Sequence, residues 1–407
     1  MVEKNSAAAG AVTGGPLMGY RIIDLTNMIS GPFATMILAD QGADVIKVEA
    51  PGSGDHVRAG FHRSGGLAAS FLNNNRNKRS IAIDLKKPDG RKIVLSLAAG
   101  ADVFIQNFRP GVVERLGVGE ADVRAVRPDI VYVSLSGFGE NGPYAAKPVY
   151  DPIIQAASGL ASVQGGSDDN PPRLVRTILP DKLTAITASQ AITAALLVRE
   201  RGGVGQHVRL SMLDAVMAFL WSSDMGGQTF VDKPVSAQRA ASFIDLIYAT
   251  EDGYISVAVM SNREWHALTS AVERPEWLED PRFTTPALRD QNINDRLSLT
   301  QEVLKTRTSA EWLERLEAAG VPCAPVLTRS ELIEHEQVAA SEILVESDHP
   351  QAGRLRQARP AARFDVTPPG IRHGAPLLGQ HSDEILGEIG VSGERIAALR
   401  ADGVIEG

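Results

Sequence analysis

The segment from Tyr20 to Val48 limits the possible folds more than any other. Tyr20–Thr26 (YRIIDLT) is a short apolar run of strand type, broken by Ser30-Gly31-Pro32. Phe33–Gln41 (FATMILADQ) then carries apolar residues three to four apart, the spacing of a helix, and Gly42 closes it before a second strand, Asp44–Val48. Strand, turn, helix and strand within about thirty residues is a βαβ unit, and connections this short favour a parallel pair. The expected class is α/β. The turn after the first strand lacks G-x-G-x-x-G, so NAD is not indicated. Without those glycines, Glu49 reads as a loop carboxylate rather than a ribose ligand.

Asn73–Lys92 is the one locally basic stretch, with Ile81, Ile83 and Leu85 alternating in its middle as in a strand. Its cations suit either a solvated surface or phosphate binding, and the surface reading is the more frequent for such runs. Pro88-Asp89-Gly90 leads into a helix over Arg91–Ala99, and Val103-Phe104-Ile105 is the next strand. The loop Asn107–Gly111 follows it, and Ser136–Glu140 follows a further strand, Ile130–Leu135. Open α/β sheets bind ligands at the carboxyl ends of their strands, so these loops predict a crevice there.

Tyr150–Asp181 holds the residues with most chemical potential. An apolar run, Ile153–Val163, ends in Gly165-Gly166; Asp168 and Asp169 follow, and Asn170-Pro171-Pro172 imposes an extended turn. A carboxylate on such a loop is placed like a nucleophile, although most strings of this kind are ordinary turns. Beyond it, Leu183–Arg199 reads as an Ala-rich helix, His207–Leu210 as a strand and Met212–Trp221 as a helix. Asp224–Ile244 reads as an irregular linker. Tyr254–Val259, with helices near Asn262–Val272, Leu299–Arg307 and Ala310–Ala319, predicts a smaller α+β domain, left through Gly320–Val326. Helices over Asp383–Ile389 and Gly393–Arg400 close the chain. The expected division is a flexible tail over 1–18, a large domain over 19–223, linker and small domain over 224–328, and a return to the large domain over 329–407.

Composition removes several classes. A net charge of −8 gives no field to attract nucleic acid or an anionic membrane. The single cysteine, Cys323, permits neither an intrachain disulfide nor a zinc–cysteine cluster. No apolar run is long enough for a membrane span. No P-loop or zinc motif appears, so neither ATP nor a metal is expected. The expectation is a cytoplasmic protein.

Seven segments in order resemble the family III CoA-transferases, the group that includes formyl-CoA transferase and carnitine CoA-transferase. They are IIDLTNMISGPFATMILADQGADVIKVEAPGSGD, NKRSIAIDLKKPDG, NFRPGVVERLG, SLSGFGENGP, VGQHVRLSMLDA, GVPCAPV and APLLGQHSDEIL. Each alone is weak; together, with family-like spacing, they are specific. The resemblance implies a Rossmann-like large domain made from both ends of the chain with a smaller α+β domain from its middle, an interlocked homodimer, and acyl-CoA and a free carboxylic acid as substrates. It implies Asp169 as nucleophile, with Asp168 its neighbour, and Glu140 as an acid near the active site. CoA contacts carry over to Met28, Ile29, Ser30, Ile83, Lys86, Asn107, Phe108, Arg115 and Leu116, which moves Lys86 to a phosphate-binding reading. Attack of Asp169 on a thioester would give a mixed anhydride and then an aspartyl-CoA thioester, conserving thioester energy without ATP. Arg173 and Arg176 are candidates for holding a second carboxylate of a dicarboxylic acid.

The same superfamily contains α-methylacyl-CoA racemases, which place a His where this chain has Tyr150 and an Asp where it has Asp181. A phenol is a poor substitute for imidazole in proton exchange near neutral pH, which favours the transferase. Asp181 is then expected to cap the helix starting near Leu183. A non-catalytic CoA-binding homologue is the third reading, disfavoured by Asp169. Formyl-CoA transferase carries a glycine run as a lid where this chain has Arg239–Phe243, with no glycine.

Overall fold

The structure is a computed structural model that describes residues 14–167, 169–233 and 246–407. It divides into two compact units. The larger holds the described residues up to Leu160, Leu174–Ser222 and Glu342–Gly407; the smaller holds Ala161–Arg173 and Ser223–Ser341.

The larger unit is organised on a seven-stranded sheet: β1 (Arg21–Asp24), β2 (Asp44–Glu49), β3 (Lys78–Ile83), β4 (Val103–Gln106), β5 (Val131–Ser136), β6 (His207–Ser211) and β7 (Ile405–Glu406). The order is β7-β3-β2-β1-β4-β5-β6, parallel except for β7 against β3. Strands 3-2-1-4-5-6 in that order define the doubly wound fold, whose sense of winding reverses between β1 and β4.

Successive side chains point to opposite faces, so alternate residues feed two cores. Ile23, Ile46, Phe104 and Tyr132 stand side by side on one face, against Val94 and Leu97 of the helix Pro88–Ala99 and Ile385 and Leu399 of the closing helices. Ile22, Val45, Val103 and Val131 line the other, against Leu38 of the helix Ser30–Asp40 and Ala188 and Ile192 of the helix Leu179–Gly202.

Two helices begin earlier than the sequence signals predict. Ser30-Gly31-Pro32, read as a break, forms the first turn of Ser30–Asp40, and Leu179-Pro180 opens Leu179–Gly202. Proline in a first turn gives up an N–H that has no intrahelical partner anyway. Gly31 is required there for space, because a Cβ would overlap the Thr26 side chain.

Two cations of the basic stretch also depart from expectation, while Lys86 and Lys92 are exposed. Lys78 is only 1% exposed and lies 3.1 Å from Asp24, and Arg76 is buried 2.7 Å from Asp40. Neither faces solvent or a phosphate. Glu49 is the buried last residue of β2, not a loop carboxylate; it pairs with Arg58 at 2.6 Å and accepts from the Ser80 hydroxyl at 2.8 Å.

The smaller unit holds a three-stranded antiparallel sheet, Cys323–Pro325, Tyr254–Val257 and Ile247–Ala249. The run Gly320–Val326, expected as an exit, thus contains an edge strand. The helix expected over Leu299–Arg307 runs over Ile293–Leu304. Trp265, Trp277, Phe283 and Trp312 fill its core. Among the described residues, no helix is long and apolar enough to cross a membrane.

Candidate active site

The reversal between β1 and β4 sets the position of a crevice. Where two neighbouring parallel strands send their connections to opposite faces, their carboxyl ends part and leave a cleft. Asn27 beyond β1 and Asn107 beyond β4 tie that cleft together: the Asn107 Oδ1 accepts from the Asn27 N–H at 2.9 Å, and its Nδ2 donates to the Asn27 carbonyl at 2.8 Å. The cavity is about 360 Å³ and is lined by Asn27–Ser30, His56, Asn107–Pro110, Ser136 and Gly137, with Lys147, Tyr150, Asp151, Asp181 and Met212 completing it.

Met28 stands in the left-handed region at φ 69°. For a residue with a Cβ this costs about 1–2 kcal/mol, so surrounding contacts must hold it. The Asp55 carboxylate accepts its N–H at 3.1 Å. On the opposite wall, Gly137 lies so close to Val149 that any Cβ would overlap it. Lys147 sits over the Tyr144 ring, its Nζ 3.2 Å from the centroid.

Two acids share one wall. Asp151, in the first turn of the helix Asp151–Ala157, is buried and accepts from Gln155 Nε2 at 2.6 Å. Burial raises its carboxyl above the usual range. Asp181 is pushed up to about 6, by burial first and then by Asp151; hydrogen bonds from the Ser30 hydroxyl and N–H offset part of the rise. Asp181 is therefore not the cap expected of it. It lies inside the first turn of Leu179–Gly202, faces the crevice, and serves Ser30 at the start of the other helix.

Of the residues carried over as CoA contacts, Met28, Ile29, Ser30, Asn107 and Phe108 converge on this crevice. Ile83, Lys86, Arg115 and Leu116 are not among its lining residues. The Ile83 side chain is in the core, Lys86 is exposed in the turn after β3, and Arg115 and Leu116 are on the short helix Val112–Leu116. Glu140 lines a second cavity of about 330 Å³ and pairs with Arg209 at 2.8 Å. The acids brought to the crevice are Asp151 and Asp181 instead. Asp151, His56 and Lys147 line the crevice without a role assigned from the sequence; the charged string Lys147–Asp151 is the signal that points to two of them.

Asp169 belongs to the smaller unit, on the loop after the helix Leu160–Gly165. It is exposed, and its N–H donates to the Ser167 hydroxyl at 3.2 Å. Asn170 Nδ2 donates to the Gly165 carbonyl at 3.0 Å and closes the turn. Arg173 and Arg176 are both exposed. Asp168 and the stretch Arg239–Phe243 lie outside the described residues. Among the described residues no cluster of His, Cys, Asp or Glu has the geometry of a metal site.

A doubly wound sheet with a crevice at its switch point defines an α/β protein with a cleft where open sheets of this kind bind ligands. Residues 17–382 match CoA-transferase family III, and the chain belongs to that family. It is 34% identical over 397 residues to a mouse succinyl-CoA:glutarate CoA-transferase, covering 96% of this chain and 90% of the relative. It is 33% identical over 415 residues to a formyl-CoA:oxalate CoA-transferase of Streptomyces coelicolor, covering 97% and 100%. A crystal structure of a CAIB/BAIF family protein from Brucella suis superposes with a TM-score of 0.82 at 29% identity, over 93% of this chain and all of the other.

Proposed function

We propose that this enzyme moves CoA from an acyl-CoA thioester to a free dicarboxylic acid, with Asp169 as the covalent carrier. The observation that carries the reading is the convergence of Met28–Ser30 and Asn107–Phe108 on one crevice at the sheet's switch point, in a chain of this family. Two relatives named for glutarate and oxalate support a dicarboxylate acceptor.

The Asp169 carboxylate attacks the thioester carbonyl, and the C–S bond breaks to give a mixed anhydride and CoA thiolate. The thiolate attacks the aspartyl carbonyl of the anhydride, releasing the donor carboxylate and leaving an aspartyl-CoA thioester. The acceptor carboxylate then displaces the thiolate to form a second anhydride. Attack by the thiolate on its acceptor carbonyl yields the new acyl-CoA and regenerates Asp169. Anhydrides hydrolyse, so water must be kept out during these steps. Arg173 and Arg176 are assigned to the acceptor's second carboxylate, a recognition that suits guanidinium.

The working form is proposed as an interlocked homodimer in the cytoplasm. Ile186 and Leu197 of the helix Leu179–Gly202, and Phe219 and Trp221 of the helix Met212–Trp221, are large apolar side chains left exposed in the single chain. They support burial against a second copy. One cysteine calls for no oxidising compartment.

The test is CoA exchange measured across matched mono- and dicarboxylates with several acyl-CoA donors. Exchange onto dicarboxylates at higher kcat/KM than onto monocarboxylates is expected. No exchange with any pair, or inversion of a single-enantiomer 2-methylacyl-CoA in its place, would overturn the reading.

A further inference from the structure

Beneath the crevice wall lies a pair of charges that the reaction does not use. Lys47 on β2 and Asp55, which precedes the short 3-10 turn His56–Ala59, are both 0% exposed, with Lys47 Nζ 2.9 Å from Asp55 Oδ2. Apart from that charge contact, Asp55 Oδ2 has no hydrogen-bond partner among the described residues. Replacing a buried ion pair by apolar residues of similar volume is often neutral or stabilising, so stability alone is a poor reason for keeping this one.

Its contacts suggest another reason. Lys47 Nζ donates to the Thr26 carbonyl at 2.8 Å. Asp55 Oδ1 accepts from the Met28 N–H at 3.1 Å and from the Val57 N–H at 3.1 Å. The pair therefore grips the turn Thr26–Met28 at both ends, and Met28 is where the backbone is left-handed. The same carboxylate oxygen also caps the turn that carries His56, another crevice residue. One ion pair thus sets two walls of the ligand site without reaching it. A second buried pair, Lys78 with Asp24, supports the same segment one step further along, Lys78 Nζ donating to the Pro32 carbonyl at 2.9 Å.

We infer that Lys47 and Asp55 are positioning residues for the CoA thioester: their buried ion pair holds Met28 in its left-handed conformation and aligns Met28–Ser30 with His56 around the ligand. The inference rests on the proposed reading of the crevice as the CoA site.

The test is calorimetric titration with CoA, together with steady-state kinetics, on four proteins. These are the wild type, the neutral near-isosteric pair Lys47→Met/Asp55→Asn, Asp55→Ala, and Asp55→Ala with Met28→Gly. CoA affinity is expected to fall by about tenfold or more in the isosteric pair and in Asp55→Ala, because small misplacements of a binding wall are costly. KM for acyl-CoA rises in step while kcat holds. Glycine adopts a positive φ without a tether, so Met28→Gly recovers part of the affinity lost in Asp55→Ala. A merely structural defect would lower the active fraction, and hence kcat at constant KM, and glycine at 28 would not repair it. A folded Lys47→Met/Asp55→Asn protein with wild-type affinity and KM overturns the positioning role, and it decides the matter alone if Asp55→Ala does not fold. Wild-type protein that binds no CoA overturns the ligand reading instead, which is a separate outcome.

Discussion

The Asp181 N–H donates to the Asp151 carboxylate at 3.3 Å, so the two acids on the crevice wall are joined through the backbone of one and the side chain of the other. Each carboxyl is raised by burial first; Asp151 raises Asp181 further, while the Gln155 amide and the Lys182 charge offset part of the rise at Asp151. A wall of this kind gains its negative charge at a higher pH than free carboxylates would.

Asp181 therefore makes stability depend on pH. Its carboxyl is raised from the ordinary 3.8 to about 6, so folding favours the protonated form. The associated stability is fully present below pH 3.8 and is lost as pH rises through 6. Asp181→Asn, which cannot ionise, is expected to raise the thermal midpoint by a few degrees at pH 7.5 and to give no such gain at pH 3.5. Thermal unfolding at the two pH values checks this, and an equal shift at both would contradict it.

Asp169 is exposed, so its removal should leave the fold intact. Asp169→Ala and Asp169→Asn are expected to lower exchange by about a thousandfold or more with an unchanged melting curve. Hydroxylamine added during turnover should label residue 169 in the wild type and nothing in either variant. Label at another position would displace Asp169 from its role.

The smaller unit depends on its tryptophans. Trp312 is 2% exposed, and its indole N–H donates to the Leu304 carbonyl at 2.8 Å. Trp312→Ala removes both the volume and the hydrogen bond, at an expected cost of about 3–5 kcal/mol. Hydrogen exchange should accelerate across residues 246–341 while the sheet of the larger unit stays protected. Uniform acceleration in both units would show that they unfold together.

Much of the larger unit was legible because its signals are local. Tyr20–Val48 shows alternation, helical spacing and breakers within thirty residues, and the structure differs there mainly in letting Pro32 join the helix. The crevice was legible too, since Asn107 and Ser136 follow strand-type runs and parallel strands put those ends on one edge. The charged residues were not. Lys78 and its partner Asp24 are 54 positions apart, and nothing near Lys78 distinguishes a buried ammonium from a solvated one. Asp151 and Asp181 meet across 30 positions for the same reason. Glu140 stands in a glycine-bearing loop on the expected edge, paired with Arg209 of the neighbouring strand β6 in a cavity that shares Phe108, Arg109, Pro110, Leu135 and Ser136 with the crevice.

The chain passes between its two units at Leu160–Ala161, Arg173–Leu174, Ser222–Ser223 and Ser341–Glu342. The short excursion among these carries Asp169. Exchanging the smaller unit for that of a relative means splicing at every one of those junctions. A single crossover between Arg173 and Ser223, natural or made in the laboratory, would separate the Ala161–Arg173 segment from Ser223–Ser341, so recombination should yield an intact smaller unit only when both pieces move as a set.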